Sequence, residues 1–159
     1  MTGPRVFARK AMAAAVEKRY AKPSRVYDSS ARGGGAELAS ASYAVNNLAF
    51  ESCADAWLPP DGQLGEITVE LATAQAIAAI ELLNTRGGAE GNRASKTIRV
   101  MAYQGDDMVM DKEARMLRFP YATDVAVPES VGSIDRLVLR VESYAGVGGG
   151  LNEIRLRKR

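Results

Sequence analysis

From residue 66 onward, apolar and polar side chains alternate along the chain. Ile67, Val69 and Leu71 are separated by Thr68 and Glu70, and Ile98, Val100 and Ala102 by Arg99 and Met101. Leu137, Leu139 and Val141 alternate with Val138, Arg140 and Glu142, and Ile154 and Leu156 close the chain between charged neighbours. A strand sends successive side chains to opposite faces, so each run predicts a strand with one face in a core and the other in water. Turn chemistry separates the runs: Pro59-Pro60-Asp61-Gly62, Arg86-Gly87-Gly88, Gln104-Gly105-Asp106-Asp107, Val127-Pro128 and Gly146 to Gly150. The segment Asp107 to Arg118, with Met108, Val109, Met110 and Met116, fits a strand or a short helix, and a hairpin is the expected form. Short strands at this spacing, with no long helix among them, predict two packed antiparallel sheets.

The first 32 residues follow another pattern. Thr2 and Pro4 suit the start of a helix, and Arg5 to Tyr20 contains no Gly or Pro and is rich in Ala, Met, Lys and Arg. Val6, Ala13, Val16 and Tyr20 fall near one face, with Arg9, Lys10 and Lys18 largely off it, which predicts a basic amphipathic helix of about four turns. A helix of that length is marginal alone, so it is expected to pack on the sandwich, a partner or a membrane surface. Lys22-Pro23-Ser24 ends it, and the joint Arg32-Gly33-Gly34-Gly35 marks the expected boundary between an extension (1–32) and a domain (33–159).

Composition narrows the chemistry. The 159 residues are 47% apolar and 25% charged, enough for one domain with its own core. No apolar run is long enough to span a bilayer and no secretory leader is visible, so an intracellular location is expected. The single cysteine, Cys53, has Glu51 and Asp55 as near neighbours, which disfavours a thiolate and predicts an inert thiol. The chain contains no histidine, which excludes Ser-His-Asp and Cys-His catalysis and His-ligated metal sites. Basic side chains cluster at both ends, through Arg5, Arg9, Lys10, Lys18, Arg19, Lys22, Arg25 and Arg32, and through Arg155, Arg157, Lys158 and Arg159, around an acidic body. Such ends suit docking on an anionic surface or on the acidic face of a partner, and equally suit solvated basic tails.

The strand pattern also carries recognisable residues. Ala41-Ser42-Tyr43 with Asn47 and Trp57, then Ile80 to Arg86, Asn92 to Val100, and Gly148-Gly149-Gly150-Leu151-Asn152-Glu153-Ile154 together resemble the discoidin, or coagulation-factor type C, family of galactose-binding-like β-sandwiches, in its bacterial-type branch. The resemblance spans about Ser40 to Leu156. It implies a mainly β fold, an antiparallel jelly-roll sandwich whose loops at one end hold sugars, lipid headgroups or proteins without performing chemistry. It also implies, for many relatives, a structural calcium. Here Phe50-Glu51 stands where that family's Asp-Gly turn is expected, and Glu51, Asp55 and Glu153 are the hard oxygen ligands available. No other cofactor is expected.

Several residues then stand out as ligand-binding candidates. Phe119 and Tyr121 form an aromatic pair in an expected loop between Arg118 and Asp124. Asn84, Arg86 and Arg93 offer donors and an acceptor suited to a carboxylate or a sugar hydroxyl, although Asn84 and Arg93 equally suit the tying of a long loop. Trp57 and Tyr43 read as core. Gly146 to Gly150 lacks the strand-then-helix setting of a phosphate loop and reads as a place where backbone approaches backbone. The leading functional expectation is a non-catalytic module, or accessory subunit, docking into a larger intracellular assembly of protein partners through its basic ends. The alternative is glycan recognition through the loops. Nucleic acid ranks last, because the acidic body repels it and no base-stacking motif is present.

Overall fold

One strand belongs to both layers of the sandwich. The computed structural model describes residues 5–6 (backbone only), 19–30, 57–85 and 93–159, and in chain order the strands are β1 (Arg5–Val6), β2 (Tyr20–Ala21), β3 (Arg25–Asp28), β4 (Glu66–Leu83), β5 (Arg93–Gln104), β6 (Asp107–Arg115), β7 (Tyr121–Ala126), β8 (Ser133–Gly146) and β9 (Glu153–Lys158). The first half of β4 lies between β3 and β8 in a sheet ordered β3-β4-β8-β5-β6. Its second half lies between β7 and β9 in a facing sheet ordered β1-β7-β4-β9-β2. All these pairings are antiparallel. The register of β4 shifts between Glu70 and Gln75, where Ala72, Thr73 and Ala74 are exposed. A strand that changes sheets needs such a break in the ladder.

The alternation read from the sequence becomes the core. Ile67, Val69, Ile98, Val100, Leu137 and Leu139 face Ile80, Leu82, Ile154 and Leu156, all buried. Each such side chain contributes about 1.5–3 kcal/mol on leaving water. Gly105 has φ of 59° and closes the β5–β6 hairpin, which confirms Asp107–Arg115 as a strand.

The two outer faces differ. On the β8-containing sheet the outer face is a ladder of exposed pairs, Glu66–Arg140 at 3.2 Å and Arg99–Asp111 at 2.7 Å, with Glu142 3.9 Å from Arg99. The Arg99 guanidinium holds the Asp111 carboxyl below the usual carboxylate range. On the β9-containing sheet the outer face is buried around Glu81 and Arg155. The Tyr20 hydroxyl donates to both carboxylate oxygens of Glu81 at 2.9 Å, and Arg157 reaches the same carboxylate at 2.7 Å. Arg155 lies opposite Glu81 in register, with its guanidinium 5.5 Å from the Tyr20 ring centre. A buried carboxylate persists only with partners of this kind.

These contacts revise the reading of both basic ends. Arg5–Val6 and Tyr20, at the two ends of the expected helix, are strand residues paired with β7 and β9, while residues 7–18 lie outside the described residues. Residues 20–28, ahead of the boundary expected at 32, are hydrogen-bonded into both sheets, because Arg25-Val26-Tyr27-Asp28 satisfies the open backbone edge of β4. At the other end Arg155 is buried, Arg157 serves Glu81, and Arg159 donates to the carbonyls of Ile77 and Val127. The C-terminal cations are therefore mostly parts of the sandwich rather than a free tail.

Trp57, fully buried as expected, anchors the loops. Its backbone N–H and carbonyl both pair with Leu151, and its indole N–H donates to Asp28 at 3.1 Å. Gly150, at φ of 150°, packs so closely that a Cβ there would collide with the Trp57 carbonyl. Gly150→Ala is expected to lower stability by about 2–3 kcal/mol in urea denaturation; an unchanged midpoint would show that the two loops do not need this contact. Burial and the neighbouring Glu81 carboxylate push the Tyr20 phenol above its ordinary 10.0. The folded state thus holds this proton more tightly than the unfolded state, so its contribution is complete below pH 10 and disappears as pH rises through the elevated value. Tyr20→Phe should flatten that alkaline decline in a stability-versus-pH series, and an identical slope in the variant would contradict the assignment.

Candidate functional site

Antiparallel pairing brings the end of β4, the starts of β5, β7 and β9, and the ends of β6 and β8 to one end of the sandwich. The loops at that end hold Leu64, Leu117 and Val147, and Tyr121 starts β7 beside them; these are four of the five exposed large apolar residues among the described residues. Exposed apolar groups gathered on loops over a rigid scaffold are the usual setting of recognition.

A cleft of about 820 Å³ opens at this end. Asn84 and Thr85 follow β4, Ala94 to Thr97 belong to β5, Arg115 and Met116 leave β6, and Ser143 and Ala145 come from β8. The turn Arg118 to Tyr121, closed by a 2.9 Å bond from the Tyr121 N–H to the Arg118 carbonyl, adds Arg118 and Phe119. Phe119 is half-buried against Leu83 and Ala122, so one part of its ring is fixed while it lines the cleft. The hydroxyls of Thr97 and Ser143 lie 2.6 Å apart, and Lys96, Arg115 and Arg118 are exposed.

The candidates named from sequence divide sharply. Asn84 and Phe119 both line the cleft. Asn84 is 2% exposed and its amide is fully engaged: Nδ2 donates to the carbonyls of Ser95 (2.8 Å) and Leu117 (3.2 Å), and Oδ1 accepts from the N–H groups of Thr85 (2.9 Å) and Ser95 (3.0 Å). It clasps three segments at the cleft floor, the loop-tying role. Arg93 turns away from the cleft and donates to the carbonyls of Pro59 (3.0 Å) and Gly149 (3.1 Å) and to Asp61. Burial pushes its pKa below the ordinary arginine value. Tyr121 is 46% exposed, sits opposite Val6 at the start of β7 and does not line the cleft. Arg86 lies outside the described residues.

Of the oxygen ligands suggested for calcium, Glu51 and Asp55 also lie outside the described residues. Glu153 is buried at the start of β9 opposite Leu83. Among the described residues no three acidic or cysteine side chains gather in a way that would hold a metal. The residues that sequence reading missed are Lys96, Thr97, Arg115, Arg118 and Ser143. The available signal was Arg115 and Arg118 bracketing the aromatic turn, but nothing in the sequence tells that Lys96 and Ser143 stand beside it.

Solved structures with this architecture include a Clostridium perfringens ZmpB fragment holding CBM32-1, CBM32-2 and M60 catalytic domains, with TM-score 0.67 and 14% identity over 100% of this chain and 17% of that one. The chain has the discoidin-type β-sandwich fold. The family 32 carbohydrate-binding module of C. perfringens NanJ, in complex with galactose, has TM-score 0.62 and 14% identity, covering 83% of this chain and 91% of that one. The lectin domain of lectinolysin, complexed with Lewis B antigen, has TM-score 0.61 and 15% identity, covering 85% and 92% respectively. The chain spans less than half the length of the ZmpB chains it matches, so in those proteins the discoidin-type fold is one domain among several. No protein-family model and no curated protein matches the chain by sequence.

Asn84→Ala strands the buried groups that its amide serves, so it is expected to lower stability by about 3 kcal/mol or more, read as a shift of the chemical denaturation midpoint. A variant as stable as the parent would remove Asn84 from the framework and return it to the list of ligand contacts.

Proposed function

We propose that this protein is a non-catalytic carbohydrate-binding module that takes a glycan into the cleft at the loop end of the discoidin-type fold. The observation that carries this reading is the half-buried Phe119 in a cleft rimmed by hydroxyl, ammonium and guanidinium donors. A pyranose presents a C–H face that packs on an aromatic ring and a rim of hydroxyls that need donors and acceptors. Phe119 supplies the first, and Thr97, Ser143, Lys96, Arg115 and Arg118 supply the second. The ligands of neighbours with this fold support the same class: galactose for the NanJ module, GalNAc for the ZmpB modules, and Lewis B antigen for the lectinolysin domain.

The same observations weaken the alternative of docking into an assembly through basic ends. Arg155, Arg157 and Arg159 are tied into the sandwich, and Tyr20–Ala21 and Arg25–Asp28 are strands paired with it. Arg19, Lys22, Arg25 and Lys158 remain exposed, while Arg9, Lys10, Lys18 and Arg32 lie outside the described residues, so the case against docking is made at the C-terminal end. The missing histidine and the full engagement of the Asn84 amide leave the cleft, among the described residues, with binding groups and no carboxylate or imidazole for proton transfer.

Binding is tested by glycan-array screening followed by calorimetry on the best ligand. Phe119→Ala should weaken it by roughly 5- to 10-fold, the loss of about 1 kcal/mol of ring packing. Thermal unfolding of the same variant controls for the contacts Phe119 makes with Leu83 and Ala122. A folded variant that binds as tightly as the parent, or a parent that binds no glycan at millimolar concentration, would defeat the proposal.

A further inference from the structure

We infer that the glycan taken by this cleft is acidic, carrying a carboxylate or sulfate that sits among Lys96, Arg115 and Arg118. This rests on the carbohydrate reading and adds the ligand class to it. Among the described residues the cleft lining holds these three cations and no Asp or Glu.

The contrast with the rest of the molecule is what gives the cluster meaning. Elsewhere Arg25, Arg93, Arg99, Arg140, Arg157 and Arg159 each face a carboxylate within 4.0 Å. Arg136 instead stacks on Tyr103 at 4.2 Å. The body of the chain is rich in Asp and Glu, so acidic partners are not scarce. Yet Lys96, Arg115 and Arg118 form no ion pair among the described residues.

Backbone geometry sets the cluster. The Met116 N–H donates to the Lys96 carbonyl at 2.9 Å, which holds the ends of β5 and β6 together and brings Lys96 beside Arg115. Arg118 follows after Leu117, whose carbonyl accepts from Asn84 and whose N–H donates to Thr123 at 2.8 Å. Three like charges on a pinned frame repel one another, and an anion entering between them relieves that repulsion. Two guanidinium groups offer planar forks that suit a carboxylate or a sulfate, and the ammonium adds a point charge. With Phe119 on the same wall, the cleft combines a surface for the sugar face with a pole for its acid group.

The test compares matched glycans by calorimetry at low and physiological salt: a neutral oligosaccharide, the same oligosaccharide carrying a uronic or sialic carboxylate, and its sulfated counterpart. A single-stranded DNA oligonucleotide of equal charge serves as the general polyanion. The acidic members are expected to bind at least about tenfold tighter than the neutral one, with a preference that shrinks as salt rises. The ratio of carboxylated to sulfated ligand tells which anion the cleft fits. Arg115→Gln and Arg118→Gln, both at exposed positions, should each erase most of the difference between acidic and neutral ligands. Equal binding of neutral and acidic glycans would overturn this inference and leave the carbohydrate reading standing. DNA binding as tight as that of the acidic glycans would also overturn it, by showing general polyanion attraction. Failure of every glycan to bind would bring down both.

Discussion

The sandwich depends on β4 doubling back across its own core. Its first half runs away from the loop end in one sheet, and its second half returns in the other, with the exposed Ala72-Thr73-Ala74 as the corner. Because one strand supplies inner rows to both layers, Ile67 and Val69 on the way out and Ile80 and Leu82 on the way back, the two sheets cannot slide independently. The constraint also fixes where function is placed. Glu66 enters beside the Trp57 loop and Leu83 leaves into Asn84, so both ends of one strand define the same rim.

That rim is made rigid by polar groups turned to the chain itself. Asn84 uses both amide hydrogens and its carbonyl oxygen on three chain segments. Arg93 spans the Pro59 turn and the glycine run, and Ser95 both donates to the Gly150 carbonyl and accepts from its N–H. A site held this way does not need to order itself when a ligand arrives, which removes part of the entropic cost of binding. The division of labour follows from burial: polar groups under the rim must be satisfied internally, and only those above it remain for recognition.

Much of this was legible in the sequence. The period-two runs named the inner rows of β4, β5, β8 and β9, and Trp57 in the core and Gly150 as a close approach followed from residue type alone. The N-terminal segment was misread at its ends because helix propensity is a weak prior. The Ala-, Lys- and Arg-rich run up to Tyr20 favours a helix in isolation, but pairing of Tyr20 with Arg157 in β9 gives its backbone a partner in the sheet. The buried outer face around Glu81 was equally hidden. Alternation assigns Arg155 and Arg157 to water, and only the tertiary partners Tyr20 and Glu81 make a buried position tolerable. The cleft was half visible: Phe119 was marked by its turn, whereas Lys96, Arg115 and Ser143 sit on three different strands and their meeting is a matter of register.

Register also explains why three cations of the acidic body, Lys96, Arg115 and Arg118, stand without an ion pair among the described residues. Strand pairing puts carboxylates opposite several arginines, as with Glu66 and Arg140 or Glu70 and Arg25, and each match removes a cation from the set available for a ligand. At the loop end the ladders run out. Arg115 is the last residue of β6 and lies opposite Thr97, a hydroxyl rather than a carboxylate, and Arg118 lies beyond any ladder. The fold thus ties several arginines into the sheets and leaves Lys96, Arg115 and Arg118 at the cleft. It is this sorting, rather than the net charge of +2, that gives the molecule a polarity a ligand can read.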